Sequence, residues 1–391
     1  MASSVLITNY SYKNALAAVR DIGSKGVKVY TCGPPIRNKV ASLSVYSSGY
    51  STYTSPNKDV NRFVTDIRRI LSTSDYDIII PIGVDTTIPV SYFKKELLEY
   101  TRVPVADYEI LEKVHDKYET IKAARSVGVP VPKTSILSAE STNEESFEYP
   151  LVIKARKGAA GSGTRYVTSE DDFRKVVSEF NQRKSDDIHD YEKPMIQEYI
   201  PGDLMDVCVL FNNGKPRGAL AQRRVITYPP SGGVGIVNET VKDTELIELA
   251  LRLLKKMKWH GVAQVEFKKD KEGIPRLMEI NPKFWGTLEL SIAAGLHFPY
   301  MLYKMTMDGD IEPNFRYESN LQIWWYFAHL PQIFFAYIKN RDKFYTAMSE
   351  ANIRRISDLS LPDIKPHIFQ LALNAVKLFQ FRKMLYHPLS R

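Results

Sequence analysis

The sequence predicts a mixed α/β and α+β chain: a parallel, Rossmann-like αβ domain in the first 110 residues, a mixed middle region, and a compositionally distinct tail from about Glu318. Three observations lead there. Val5-Leu6-Ile7 and the run from Tyr76 to Ile82 (YDIIIPI) are continuously apolar, as parallel strands covered on both faces are. From Asp116 onward, helical spacing alternates with short strands and Gly-rich turns. The tail opens with Leu321 to Ile338 (LQIWWYFAHLPQIFFAYI), which carries no charge, and continues with apolar residues at helical spacing from Pro366 to Met384.

The chain has 391 residues, which at about 150 residues per domain gives two or three domains and ample material for a core. With 44% hydrophobic and 25% charged residues, it is neither disordered nor collagen-like nor a coiled coil. Two cysteines, Cys32 and Cys208, make no disulfide framework and suit a reducing compartment. The opening MASSVLITNY has no charged segment followed by an apolar one, so no secretory signal is legible and a cytoplasmic location is expected. The net charge is +8, and residues 311–391 hold eleven Lys/Arg against six Asp/Glu, so much of the excess sits in the tail. Such a surface suits anionic lipid or a polyanionic substrate; zinc-finger spacing, RNP aromatics and a basic heptad region are all absent, so no nucleic-acid partner is expected.

Taken in order, Val5 to Ile7, a helix from Asn14 to Lys25 and Val27 to Tyr30 after Gly26 form strand, helix, strand, and the run to Ile82 adds a further strand. A ligand would sit beyond the strand ends, near Asn9, Cys32-Gly33 and Gly83 to Asp85, although no GxGxxG occupies the first turn; a scaffold wall for a larger site fits equally well. A helix from Asp116 to Val127 stops at Gly128, Pro130 and Pro132. Tyr149 to Ala155 and Arg165 to Val167 read as strands flanking Lys154-Ala-Arg-Lys-Gly158-Ala-Ala-Gly161-Ser162-Gly163. Glycines so close together let backbone amides turn toward one point, as a phosphate cradle requires, while a plain flexible hairpin is the alternative. The lysine precedes the glycines and a strand follows, so this is not a Walker A loop.

Two further motifs follow. Met195 to Asp203 (MIQEYIPGD) is a strand running into a Pro-Gly turn, whose exposed backbone edge can meet an adenine. Gln264 to Phe267 and Leu277 to Asn281 read as strands joined by the turn Asp270 to Gly273, and alternation places Glu279 and Asn281 on one face with Glu266 across from them. Two carboxylates and an amide oxygen suit Mg²⁺, which prefers hard oxygen ligands and borrows others from phosphates; a solvated charged strand face is the alternative.

Together, and in this order, these motifs resemble the ATP-grasp superfamily over about Lys113 to Leu290. The resemblance implies an N-terminal domain over 1–110, an ATP-grasp domain over 111–315 with lobes of about 115–195 and 196–315, and a helical aromatic and basic extension over 316–391. It implies ATP, with Mg²⁺ or alternatively Mn²⁺, as cofactors. Lys117 and Lys154 would contact phosphates under the loop of Gly161, Ser162 and Gly163; Gln197, Glu198, Tyr199 and Ile200 would line the adenine; and Asp203, with Asp206 as second choice, would hold the ribose. Glu266, Glu279 and Asn281 would be metal ligands. Arg223 and Arg224 would approach the γ-phosphate or an acceptor carboxylate, with Ser231-Gly232-Gly233 as a substrate loop; surface arginines are the alternative for that pair. Many relatives carry an arginine where this chain has Gln264 or Lys283, and Lys283 keeps the charge without the bidentate fork.

The implied reaction is attack of a carboxylate on ATP to give an acyl phosphate and ADP, then displacement of phosphate by an amine. No protein nucleophile is needed, and His115 reads as structural. A bicarbonate-activating enzyme of carboxylase or carbamoyl-phosphate type, a kinase, and a non-catalytic nucleotide-binding module at a membrane are the alternatives. Substrates would be small or polymer-linked carboxylates and amines. The tail, through 321–338 and 366–384 with Trp324, Trp325, Phe327, Phe334, Phe335 and the cations near Arg382, would dock on the core or lie at a membrane.

Overall fold

The computed structural model describes residues 3–137, 147–158, 163–182, 193–229 and 233–385, with side chains through residue 376. Its first unit runs β1 (Ser4–Ile7), α1 (Lys13–Gly23), β2 (Lys28–Gly33), β3 (Ser47–Thr52), α2 (Val60–Leu71), β4 (Ile78–Ile80), α3 (Val84–Tyr92) and a short α4 (Lys94–Leu97). The strands lie in the order β3-β2-β1-β4 and every neighbouring pair is parallel. β1 and β4 are fully buried because helices cover both faces, which is why their sequences lack polar alternation. β3, SSGYST, is half exposed at the sheet edge and too polar to read from sequence. The chain reverses its winding between β1 and β4, so the loops at Asn9 and Gly83 flank the crevice where ligands of such sheets bind.

α5 (Tyr108–His115) and α6 (Lys117–Ser126) lead into β5 (Thr134–Ile136), β6 (Leu151–Lys154), β7 (Thr164–Val167), α7 (Glu170–Gln182) and β8 (Met195–Glu198). Asp116 separates the two helices and caps α6, accepting from the backbone of Tyr118 at 2.9 Å and Glu119 at 3.3 Å. Such a cap is worth about 1 kcal/mol, and it places Lys117 at the first helical position. The four strands make an antiparallel sheet in the order β5-β8-β6-β7, with Leu151, Ile153 and Ile196 packed under α7 against Val176 and Phe180. β8 therefore lies inside this sheet and not at its edge: the Glu198 amide donates to the Lys133 carbonyl at 2.9 Å.

The hinge from 199 to 203 leads to β9 (Leu204–Asn212), β10 (Lys215–Tyr228), β11 (Val234–Val241), α8 (Thr244–Lys256), β12 (Gly261–Lys269), β13 (Pro275–Asn281), α9 (Leu288–Ala293) and α10 (Phe298–Asp308). Gly202 passes so close to β12 that a Cβ would stand 1.4 Å from the Lys269 carbonyl oxygen, so the hinge accepts no side chain there. These strands form an antiparallel sheet ordered β13-β12-β9-β10-β11. One face buries Val207, Val209, Phe211, Ala263, Val265 and Phe267 under α8; the other buries Cys208, Leu210 and Leu220 toward α1 and the first unit.

The tail contains the expected helices, α11 (Leu330–Lys339), α12 (Arg341–Ser349) and α13 (Lys365–Leu385), together with two unexpected strands, β14 (Leu321–Trp324) and β15 (Arg354–Ser357). β14 pairs antiparallel with β11 and parallel with β15, so the large sheet continues β11-β14-β15. The charge-free stretch is thus a core strand followed by a docked helix. Trp324 and Trp325 are buried, which removes both from any membrane-facing surface. Among the described residues, no helix is long and apolar enough to cross a membrane. Both cysteines are free and buried.

Candidate active site

Strand register builds the site. Glu279 on β13 stands opposite Glu266 on β12, Glu266 opposite Asp206 on β9, and Asp206 opposite Gln222 on β10. Three carboxylates in a row across adjacent strands would repel one another, and the surrounding groups offset this. Arg224 reaches Glu266 Oε1 at 2.9 Å and Asp206 Oδ1 at 3.5 Å. Asn281 Nδ2 donates to Glu266 Oε1 at 3.1 Å and to Glu279 Oε1 at 3.2 Å. Gln222 Nε2 donates to Asp206 Oδ2 at 3.3 Å and is held by Thr287 at 2.6 Å.

The facing lobe supplies cations. Lys117 Nζ lies 3.5 Å from Glu279 Oε2 and donates to the Gly158 carbonyl at 3.1 Å, tying β13 to the start of the glycine loop. Lys154, at the end of β6, donates to Gln197 Oε1 at 2.7 Å, and Gln197 Nε2 in turn donates to Thr134 Oγ1 at 3.0 Å. Lys268 on β12 donates to the Ile200 carbonyl at 3.0 Å and lies 5.4 Å from the Tyr199 ring, which meets Tyr166 edge-on.

Burial and mutual charge shift these groups. Burial lowers Lys154 to about 8 against the pull of Glu279. Lys283 is likewise lowered by burial, with Glu266 and Glu279 opposing. Glu266 is raised, first by burial and then by Asp206 and Glu279, with Arg224 working against both. Burial also pushes Glu279 upward, but Lys117 and Lys154 outweigh it and its net shift is downward. Burial acts to lower Arg224, and Glu266, Asp206 and Glu279 overcome it and raise the group. Two carboxylates whose affinities for protons are pushed apart, among buried cations, mark this cluster as a candidate functional site.

Glu266 and Glu279 each lie within hydrogen-bond range of the Asn281 amide, and with its oxygen turned inward the three would form a hard-oxygen donor set that fits Mg²⁺ or Mn²⁺. A family model described as ATP-grasp in the biosynthetic pathway with Ter operon matches residues 190–326. Residues 190–326 thus match an ATP-grasp family model. The chain is 27% identical over 161 residues to a carbamoyl-phosphate synthase of Methanobrevibacter smithii, covering 40% of this chain and 41% of the relative. To a D-aspartate ligase of Enterococcus faecium it is 24% identical over 213 residues, covering 49% of each. The chain thus spans about half the length of these two relatives or less. Its fold is similar to that of the biotin carboxylase–beta-gamma-ATP complex from Campylobacter jejuni, with a TM-score of 0.67 at 18% identity over 82% of this chain and 74% of the other.

The structure brings together Lys117, Lys154, Gln197, Arg224, Glu266, Glu279, Asn281 and Lys283. Gly163 packs against Ala155 where a Cβ would come within 2.7 Å of the alanine's own, so the hairpin closes tightly. Gly161 and Ser162, like Ser231 and Gly232, lie outside the described residues. Tyr199 and Ile200 line the hinge, Asp203 is exposed beside it, and Glu198 turns outward, its carboxylate accepting from the Lys133 amide at 3.0 Å. Arg223 does not join the site. Strand alternation sends it to the opposite face of β10, where it pairs with Glu239 at 3.3 Å and Glu350 at 3.2 Å.

Sequence reasoning undervalued two residues. Asp206, weighed as a second choice for the ribose, is 1% exposed beneath Arg224 and too deep for that role. An aspartate in the otherwise buried run MDVCVLF was the available signal. Lys268 was missed altogether, because only the fold brings the second residue after Glu266 to the hinge carbonyl.

Proposed function

We propose that the chain is an ADP-forming ligase that activates a carboxylate with Mg-ATP as an acyl phosphate and passes it to an amine. The observation that carries this reading is the convergence of Lys117 and Lys154 from one lobe with Glu266, Glu279, Asn281 and Arg224 from the other. Bound between Glu266, Glu279 and Asn281, Mg²⁺ would neutralise charge on the phosphoryl oxygens. Lys117 and Lys154 hold the phosphates, and the hinge from Gln197 to Ile200 receives the adenine, with Asp203 near the ribose. Arg224 sits where charge develops on the transferred phosphoryl group, fixed from behind by Asp206. Lys283 adds a second cation on the acceptor side. The glycine hairpin around Gly163 shields the acyl phosphate from water.

Small or polymer-linked carboxylates and amines are the proposed substrates, and a cytoplasmic setting suits the two free cysteines. The test is release of ADP and phosphate from Mg-ATP against amino acids offered singly and in pairs, with bicarbonate in a parallel arm and Glu279→Ala as control. Release that requires both a carboxylate and an amine, and falls at least about 100-fold in the variant, is expected. Release driven by bicarbonate alone would replace the reading with the carboxylase type.

A further inference from the structure

Lys13, the first residue of α1, carries a buried ammonium with no hydrogen-bond partner among the described residues. Its Nζ rests 3.4 Å from the centre of the Trp325 ring, a contact that holds the charge and leaves the N–H groups unspent. The two carboxylates whose charge reaches it are engaged elsewhere. Asp358 accepts from the Phe327 and Ala328 amides at 3.1 and 2.8 Å, and Glu289 pairs with Arg20 at 3.3 Å. The same tryptophan is tied to a second unspent donor. Trp325 Nε1 donates to Asn238 Oδ1 at 3.0 Å, and an indole N–H can only donate, so this bond fixes which end of the amide faces the ring. Asn238 Nδ2 is left without a hydrogen-bond partner among the described residues, on a side chain that is fully buried. Unspent buried donors destabilise a fold, and two of them around one tryptophan call for a group that accepts from both.

Their place in the sheet says what that group belongs to. In the register of β10 and β11, Asn238 stands opposite Arg224, so it shares the face that carries Asp206 and Glu266. From the first unit, Lys13 Cε comes within 3.8 Å of where a Gly286 Cβ would stand, and the neighbouring Thr287 holds Gln222 of the same face. Lys117 meets Glu279 on β13, at one end of the strand order β13-β12-β9-β10-β11, and Asn238 on β11 stands at the other. The cations proposed for phosphate thus sit at the first end, and the unspent donors lie beyond Arg224. One ammonium and one amide N–H match the two oxygens of a single carboxylate. A carboxylate held there is too far from the carboxylates of β12 and β13 to be the one phosphorylated. The amine attacks the acyl carbon from the side away from the leaving phosphate, so a second carboxylate beyond Arg224 belongs to the amine component.

We propose that Lys13 and Asn238, set around Trp325, bind the carboxylate of an amino acid that serves as the amine substrate. The assignment rests on the proposed ligase reading for the direction of attack, and on the two unspent donors for the subsite itself. It makes Lys13 and Asn238 specificity-determining residues: they touch the part of the substrate that does not react.

The experiment is calorimetric titration of the full chain, with Mg-ADP present, against amino acids, the corresponding amino-acid amides, and inorganic phosphate. The amides keep the amine and lose the carboxylate. At least one amino acid is expected to bind about tenfold or more tightly than its amide, and that margin is expected to vanish in Lys13→Met and in Asn238→Asp. Asn238→Asp keeps the oxygen that Trp325 needs and replaces only the unspent donor, so it serves where Lys13→Met fails to fold; thermal melting checks both. Equal binding of acids and amides, or no binding of any probe to the native chain, would overturn the proposal. So would a margin that both variants retain, or tighter binding of phosphate that the variants abolish. ADP release separates this from the parent reading. Loss of the margin in both variants of a chain that releases no ADP would keep the subsite and remove the ligase. Release with an unchanged KM for the amino acid in both variants would keep the ligase and remove the subsite.

Discussion

Arg223 and Arg224 are consecutive and chemically identical, yet they serve opposite faces of one sheet. Arg224 is largely buried and spends its guanidinium on Glu266 and Asp206, whereas the Arg223 side chain is 40% exposed and bridges Glu239 and Glu350 on the other face. Arg224→Ala is expected to lower turnover by about 100-fold or more, since it removes a buried charge from the proposed phosphoryl site. Arg223→Ala is expected to leave turnover within about threefold and to cost about 1 kcal/mol of stability, because Glu239 retains the Gln322 amide at 3.2 Å. Steady-state kinetics and urea denaturation of both variants check this. Equal losses of turnover would mean that the face assignment is wrong.

At the scale of elements, the decisive feature is that β14 belongs to the sheet carrying the site. Leu321 and Ile323 are fully buried against the first unit, Trp324 packs with Ile226 and Ile236, and the Lys13 ammonium lies 3.4 Å from the centre of the Trp325 ring. Ending the chain at Glu318 would strip these residues and leave β11 as an open edge with its backbone unpaired. The truncated protein is therefore expected to aggregate or to melt well below the full chain, by differential scanning fluorimetry at matched concentration. A soluble truncation with unchanged melting would show the tail to be an appendage.

At the scale of the whole molecule, one histidine links stability to pH. His260 sits at the junction of the first unit with β12, and burial lowers it from 6.5 to about 4, helped by Lys94 and opposed by Asp107. Between those values the unfolded chain binds a proton that the folded chain does not, so stability is full above pH 6.5 and declines as pH falls toward 4. The loss from this group between pH 7 and pH 5 is about 1–2 kcal/mol. Urea midpoints at the two pH values, compared between the native chain and His260→Gln, measure it. An identical pH difference in both would remove His260 from the account.

Local pattern determined a good deal of this protein. Continuous apolar runs specified the parallel strands, the Asp116 cap specified where Lys117 begins its helix, and the turn from Asp270 to Gly273 specified the register that sets Glu266 against Glu279. These features are encoded within a few residues of one another, so periodicity and turn chemistry read them directly. What only the tertiary structure decided depends on partners distant in sequence. The burial of Asp206 under Arg224, the reach of Lys268 to the hinge, the separation of Arg223 from Arg224 by sheet face, and the conversion of a charge-free stretch into a core strand all follow from which strands lie side by side. Strand order is set by the packing of the entire chain, and a linear pattern carries no record of it.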